Sequence, residues 1–373
     1  MHDDHHQDFP ITRNWVYLNH ALISPLPRRS LLASTKILNR FSRIGPLSHK
    51  ILNRRNSMLR QELADFLSAP KENIALFRNI SDAILFLRHR LPIETGRDIL
   101  GIEIPPSQAP TWNLWKSRNL KVELTDHETF NSSDTLEQTA LLALGPFLNC
   151  QPKSSQIAHY SQICKDNGTL FLADLSFLAG VHEISPTEMG VDIALIETHR
   201  WMLGVSDVVI MSVSNVVAKA LRLSRSNNLS GFIEVPQNQS TTPNFTQSHL
   251  DSFDPSRLFD SAGSFASKAA LLESLKLLNE VGLSEIKDRI YSIKIQVING
   301  LREEGFSIVS DTLPGVVIAE HEKLPAQVLC EKLLTYDIQV GWKENQLWVS
   351  PHFYNTEIEI ERLFKAIHTI INP

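Results

Sequence analysis

The spacing of apolar and polar residues predicts strands and helices that alternate along much of the chain. Short apolar runs bounded by turn residues are typical of buried strands, whereas apolar positions three and four residues apart indicate helices. The runs predicted as strands of one sheet are 73–77, 98–104, 121–124, 140–144, 170–173 and 193–197. Because helical patterns lie between several of them, the order predicts an α/β fold with a mostly parallel sheet covered on both faces.

The segments on either side of this region have different patterns. Residues 29–68 have apolar positions at helical spacing, and the polar stretch 223–254 has no period, which predicts a long loop. The final hundred residues predict two long helices, four short strands and a closing helix. We therefore predict a flexible N-terminal tail (1–14), a large domain (15–265) and a smaller C-terminal α+β domain (266–373).

Composition narrows the class of protein. The net charge of −5 and the scattered basic residues give no reason to expect nucleic acid or anionic membrane as a partner. The most apolar stretch, 207–221, is too short to span a bilayer. Three cysteines without a CxxC pair argue against zinc and disulfides, and with no secretory signal they favour the cytoplasm. The tail residues His2, Asp3, Asp4, His5 and His6 are predicted to be disordered, so no metal site is expected.

Two segments carry candidate chemistry. Residues 168–174 form an apolar strand that ends in Asp174, and residues 191–204 form another that is followed by Thr198, His199 and Arg200. In open α/β sheets, ligands bind at the carboxyl ends of the strands. A strand-end Asp is also a common turn former, and a strand-end His is often a satisfied structural group, so both interpretations stay open for Asp174 and His199.

These segments resemble the class V aminotransferases and their relatives, the cysteine desulfurases, kynureninases and isopenicillin epimerase-like proteins. In that family an Asp pairs with the pyridine nitrogen of pyridoxal phosphate (PLP), and a later Ser/Thr-His-Lys-Trp run supplies the Schiff-base lysine. Five more segments are similar to the family and follow its order: 17–27, 78–83, 105–112, 259–264 and 350–356. The resemblance covers residues 15 to 370. It implies a fold type I PLP-dependent transferase fold, with a seven-stranded sheet in the large domain, and a homodimer.

The resemblance also implies roles for individual residues. The predicted cofactor-binding residues are Asn79, Ser81, Trp112, Asp174, Phe177, Thr198, His199, Gly263 and Ser264. The residues predicted on the substrate side are Asn19, His20 and Trp348. Asn79 and Ser81 begin a predicted helix, where backbone N–H groups can hold an anion.

The sequence departs from the family where the chemistry is done. Arg200 stands at the position of the Schiff-base lysine, and a guanidinium stays protonated, so it cannot form an imine. Phe177 replaces the usual Gln or His near the ring, and Trp348 replaces the arginine that binds the substrate carboxylate. No cysteine lies in the loop just before Leu347, so the persulfide chemistry of a cysteine desulfurase is unsupported.

Four hypotheses follow for function. The first is a binding or regulatory homologue without covalent PLP chemistry. One version of this hypothesis is that the protein binds no cofactor. The second is an enzyme that binds PLP or pyridoxamine phosphate noncovalently and uses His199 as base on an amino-group-containing small molecule. The third is a cofactor-free catalyst that uses His20, His199 and His352. The fourth is that Arg200 was engineered, which would not account for Phe177 and Trp348.

Overall fold

A computed structural model gives the fold for residues 5–45, 49–93, 96–118, 120–127, 130, 136, 138–146, 154–226 and 264–372. Gly263, Cys150 and the first three tail residues named above, His2, Asp3 and Asp4, lie outside the described residues. Of the helices that are described, none is long and apolar enough to cross a membrane.

One seven-stranded sheet forms the centre of the large domain. Its strands are β2 (Ile74–Phe77), β3 (Asp98–Ile102), β4 (Val122–Thr125), β5 (Thr139–Leu144), β6 (Leu170–Asp174), β7 (Ile193–Glu197) and β8 (Val209–Val213). They lie in the order β2-β8-β7-β6-β5-β3-β4. Neighbouring strands from β7 to β4 pair in parallel, and β8 runs antiparallel to both β7 and β2. The predicted mostly parallel sheet is confirmed.

Helices cover both faces of this sheet. Those of the large domain are α1 (Arg28–Ile44), α2 (His49–Phe66), α3 (Ile80–Arg90), α4 (Ala109–Asn113), α5 (Ser154–Asn167) and α6 (Asn215–Ser226). Successive strand residues point to opposite faces. In β5, for instance, Leu142 packs with Leu63 of α2, and Leu141 packs with Leu87 of α3. Almost every strand residue is therefore apolar, as expected for a sheet that is buried on both sides.

Most of the C-terminal part packs around a second core, whereas the apolar side chains of its first helix belong to the core of the large sheet. The C-terminal part contains α7 (Phe265–Val281), α8 (Leu283–Glu303), β9 (Ser307–Ser310), β10 (Val317–Glu320), α9 (Ala326–Leu334), β11 (Ile338–Lys343), β12 (Gln346–Val349) and α10 (Glu357–Ile371). Its five-stranded sheet has the order β1-β11-β12-β10-β9, where β1 (Val16–Leu18) comes from the start of the chain. Thr356 and Glu359 form a capping box that begins α10.

The beginning of the chain differs from the predicted flexible tail. Residues His6–Asp8 and Pro10–Arg13 form short 3-10 helices. The Phe9 ring is fully buried and stacks on Tyr354, with 3.7 Å between the ring centroids. The segment is ordered because the Phe9 ring is removed from water beside the C-terminal segment. The polar residues on either side of Phe9 hide this single apolar contact from a reading of the sequence. β1 likewise belongs to the small sheet, although it was predicted within the large domain.

Two further elements differ from the sequence prediction. The apolar stretch that begins at Asp207 supplies β8 and α6, and all five residues of β8 are buried, so it shows no strand alternation in sequence. The predicted loop 223–254 begins later than expected, because α6 continues to Ser226; the rest of it lies outside the described residues.

Candidate functional site

A cleft of about 700 Å³ lies between the carboxyl ends of the parallel strands and the small sheet. Pro105 and Gln108 line it from the loop after β3, and Phe177 lines it from the loop after β6. Asn19 and Trp348 line it from the small sheet. The position agrees with the general rule for ligand sites in open α/β sheets.

Arg200 lines the cleft with its side chain held from three sides. Its Nε and Nη2 atoms donate to Oε2 of Glu197 at 3.1 and 2.9 Å, and its Nη1 donates to the backbone carbonyl of Ala21. The guanidinium also lies over the Phe177 ring, 4.8 Å from the centroid. The arginine charge is therefore already paired within the chain, and it joins the end of β7 to the segment after β1.

Asp174 ends β6 as predicted, and its two carboxyl oxygens differ. Oδ1 accepts hydrogen bonds from the backbone N–H and the hydroxyl of Ser176, whereas Oδ2 is buried and has no hydrogen-bond partner among the described residues. Burial, and after it the negative charge of Glu197, raise the pKa of Asp174 to about 7. This carboxyl group is thus close to the balance between its neutral and charged forms at neutral pH.

Thr198 and His199 follow β7 in a tight turn. The Thr198 hydroxyl donates to the carbonyl of Val208 at 2.8 Å, and its own carbonyl accepts from the N–H of Gly204. A Cβ at Gly204 would lie 2.5 Å from Thr198 Oγ1, so only glycine fits there. Thr198 is fully buried in this turn, and its hydroxyl is committed to the backbone rather than free for a phosphate.

His199 lies beside the cleft floor. Its carbonyl accepts from the N–H and the hydroxyl of Ser24, which fixes the backbone. The ring atom Nδ1 is buried without a partner. Burial lowers the pKa of His199, which favours the neutral ring, while Glu197 opposes that shift.

The substrate-side residues divide into two groups. Asn19 and Trp348 reach the cleft, where Asn19 bridges to Ser350 and lies against Gly341. A Cβ at Gly341 would lie 2.6 Å from Asn19 Oδ1, so a glycine there makes room for the amide. The indole Nε1 of Trp348 is buried without a partner.

His20 instead belongs to a closed network behind the cleft. Its Nδ1 lies 2.9 Å from the carbonyl of Ser350, and its Nε2 lies 2.9 Å from the hydroxyl of Tyr354. His352 is also fully buried, with Nε2 at 3.1 Å from the carbonyl of Trp201, and its Nδ1 accepts from the N–H of Phe353. The His352 ring is neutral because its Nδ1 accepts from an N–H, and burial lowers the pKa of His20 well below its ordinary value, so that ring is neutral as well. Neither ring has a nitrogen left for a ligand.

The residues predicted around the phosphate and the ring are spread over several places. Asn79 is the N-cap of α3, with its Oδ1 accepting from the N–H of Asp82, and Ser81 accepts from the Thr111 hydroxyl. Trp112 is buried in the core and stacks on Trp115, so it does not line the cleft. Ser264 is the N-cap of α7, with its Oγ accepting from the N–H of Ser267.

Sequence reasoning missed several cleft residues. Glu197, at the end of β7, is the partner of Arg200, and its signal was a carboxylate three positions before an arginine at a strand end. Trp342 and Lys343 line the cleft from the β11–β12 hairpin. Nothing in their spacing sets them apart, because a hairpin places them by tertiary packing.

Comparison with known proteins gives consistent matches. The sequence model described as aminotransferase class-V matches residues 43–363. An uncharacterized aminotransferase of Bacillus subtilis, YcbU, is 23% identical over 329 residues, which cover 83% of this chain and 82% of that protein. The apo structure of a cysteine desulfurase from Thermococcus onnurineus NA1 superposes with a TM-score of 0.78 at 17% identity, over 99% of this chain and 98% of that chain.

A second solved structure carries the cofactor. It is a C-DES variant with glycine covalently linked to its PLP cofactor, and it is similar to this chain with a TM-score of 0.77 at 17% identity. The match covers 97% of this chain and 98% of that chain. These structural similarities establish the fold type I PLP fold predicted from the sequence.

Proposed function

The chain belongs to the aminotransferase class-V family, and we propose that it is a member without lysine-dependent PLP chemistry that uses its cleft to bind a ligand. The observation that carries this proposal is the side chain of Arg200. The sequence resemblance aligns it with the Schiff-base lysine, yet three of its five N–H groups donate to Glu197 and the Ala21 carbonyl. A permanently charged, internally paired guanidinium cannot take over the role of an amine.

The cleft residues fit a pyridoxal-type ring only in part. When bound, PLP supplies an electron sink. Asp174 has the unpartnered buried oxygen that a protonated ring nitrogen would satisfy. The same oxygen is covered by the chain, and Glu197 puts a second carboxylate on the floor of the cleft. The pyridine nitrogen of PLP would therefore have one suitable partner, Asp174, whereas the proposal leaves no amine for its aldehyde carbon to bond.

Asp174 is also the reason to keep a second candidate function, an enzyme with noncovalently bound PLP or pyridoxamine phosphate. In that protein Asp174 would hold the ring nitrogen. His199, with its neutral ring and unpartnered Nδ1, would be the proton acceptor. The two candidates share the loss of covalent attachment and differ in whether a cofactor binds at all.

One experiment separates these functions. The purified protein is titrated with PLP and with pyridoxamine phosphate, reduced with borohydride, and its intact mass is measured beside its visible spectrum. We expect neither a mass increase nor a saturable spectral change. A saturable change without added mass would select the noncovalent enzyme, and stoichiometric added mass on the wild-type chain would contradict both candidates.

Arg200→Lys is the informative variant for this experiment. Restoring an amine at that position should allow borohydride-stable PLP attachment, because it replaces the guanidinium that cannot form an imine. Arg302→Lys is a matched control, since Arg302 is exposed on α8 and is not among the residues that line the cleft. Equal labelling of both variants would show that added lysines react nonspecifically.

We also propose that the protein acts as a homodimer. Several large apolar side chains are exposed along α1 and the segment before it, at 64% for Leu22, 60% for Leu32 and 53% for Phe41. Several exposed large apolar side chains on one part of the chain are typical of an interaction site. Light scattering of the purified protein measures the mass, and a monomer at micromolar concentration would contradict the proposal.

A further inference from the structure

The charges and aromatic side chains of the cleft identify a class of ligand. We propose that the cleft binds a protonated organic amine with an aromatic or other flat apolar body, and that Glu197 is the residue that recognises the ammonium group. This inference rests on the proposed ligand-binding function and adds the chemistry of the ligand.

The first argument is the unequal use of the Glu197 carboxylate. Oε2 receives both hydrogen bonds from Arg200, whereas Oε1 accepts no hydrogen bond in the part of the chain that the structure describes. Glu197 lines the cleft and its side chain is 22% exposed. An ammonium group that reached Oε1 would form a charge-assisted hydrogen bond, which is among the stronger kinds.

The second argument is that the cleft offers little to an anion. Three of the five N–H donors of Arg200 are engaged with Glu197 and Ala21, and its charge is offset by Glu197. The other basic side chain that lines the described cleft is Lys343, which lies exposed beside Glu344 in the hairpin turn and is screened by solvent. The carboxyl group of Asp174 behind the floor adds further negative charge.

The third argument is the shape and composition of the walls. Phe177, Trp342 and Trp348 line the cleft together with Pro105 and Pro106. Aromatic faces attract organic cations as well as flat apolar groups.

A matched series of small probes tests this. Phenethylamine, phenylalanine, phenylacetate and phenethyl alcohol share one aromatic body and differ in charge: cation, zwitterion, anion and neutral. Binding to the wild-type protein without added cofactor is measured by calorimetry and tryptophan fluorescence. We expect phenethylamine to bind at least about tenfold more tightly than each of the others. Equal or tighter binding of phenylalanine or phenylacetate, or no binding of phenethylamine, would overturn the proposal.

Variants then assign the recognition to one carboxylate. Glu197→Gln should weaken phenethylamine binding about tenfold and leave phenethyl alcohol unchanged, because it removes the charge and keeps the shape. Glu273→Gln is the matched control, since Glu273 forms an i,i+3 ion pair with Lys276 at 25% exposure and lies in α7 outside the cleft lining. If both variants bind the amine as the wild type does, Glu197 is not the recognition group. Thermal melting of each variant checks that it is folded.

The result of the probe-binding experiment is independent of the result of the PLP experiment that tests the proposed function. Covalent PLP on the wild-type chain would overturn the proposed loss of lysine-dependent chemistry, and it is read by mass. The probe series is read without cofactor and can fail while that proposal stands.

Discussion

Two groups of residues that the sequence marks as site candidates differ in how completely their polar atoms are paired. His20 and His352 form a closed network with Ser350, Tyr354 and the Trp201 carbonyl, in which each ring nitrogen has a partner. The cleft floor, in contrast, leaves Asp174 Oδ2 and His199 Nδ1 buried without partners. Both groups come from motifs of the same family, yet only one has capacity left for a ligand.

The difference separates structural support from chemistry. A buried polar network that is fully satisfied makes the fold rigid and specific, and loss of any member leaves other members unpaired. Unsatisfied buried groups are uncommon in folded proteins and call for a ligand, a water or a functional reason. Motif similarity alone does not distinguish these cases, because the same residue types serve both.

The largest expected effect is in the closed network. His20→Ala removes a fully buried ring and deprives the Tyr354 hydroxyl of its His20 partner, while the Ser350 carbonyl keeps only one of its two bonds to that residue, the one from the backbone N–H. We expect a loss of about 3 to 5 kcal/mol in the free energy of unfolding, measured by urea denaturation at pH 7.5. His368→Ala is the control, because His368 is 66% exposed in a surface ion pair, and it should cost less than about 0.5 kcal/mol. Similar losses for the two variants would refute the distinction between the regions.

The second effect is the acid sensitivity of the network. Burial lowers the pKa of His352 to about 4 from 6.5. Below pH 6.5 the unfolded chain binds a proton that the folded chain refuses, so the contribution of His352 falls as the pH drops towards 4. His352→Gln removes this contribution, and its destabilisation should be about 2 kcal/mol smaller at pH 5 than at pH 7. Urea denaturation at both pH values measures it, and an unchanged difference would contradict a neutral buried ring.

The cleft floor should respond to pH with the opposite sign. The pKa of Asp174 rises from 3.8 to about 7, so the folded chain keeps a proton that the unfolded chain releases between these values. The stability from Asp174 is present below pH 3.8 and is lost as the pH rises through 7. Asp174→Asn lacks this dependence and should gain about 2 kcal/mol relative to wild type between pH 5 and pH 8. A constant difference across that range would mean that Asp174 ionises normally.

Much of the fold was predictable because it depends on local patterns. The strand at 193–197 was predicted at its observed bounds, and the C-terminal part has the four short strands and the closing helix that were predicted for it. The two short 3-10 helices before β1, and β1 itself, were not predicted. The burial of Phe9 and the pairing of β1 with β11 depend on contacts with residues more than 300 positions away. β8 was missed because a strand buried on both faces has no alternation to read.

The candidate site was predictable only in its position. The carboxyl ends of β6 and β7 indicated Asp174, Phe177 and Arg200. Phe177 and Arg200 line the cleft, and Asp174 is buried within electrostatic reach of Glu197 and Arg200. The sequence could not show that the Thr198 hydroxyl donates to the Val208 carbonyl, or that Trp112 lies in the core. Hydrogen-bond commitment is a property of the folded geometry. For the same reason the role of Glu197 emerged only with the structure.

The smallest expected effect sharpens the comparison within the cleft floor itself. The charge of Glu197 raises the pKa of Asp174, and that of Arg200 lowers it. Glu197→Gln removes the first influence and frees Arg200 from its ion pair, so the pKa of Asp174 should fall and the pH-dependent loss of its stabilisation should move to lower pH. At pH 8 the free energy of unfolding should change by less than about 1 kcal/mol, because the ion pair is still 19% and 22% exposed. Glu273→Gln should leave the profile in place. An unshifted profile in Glu197→Gln, measured by urea denaturation between pH 5 and 8, would mean that the two carboxylates are not electrostatically linked.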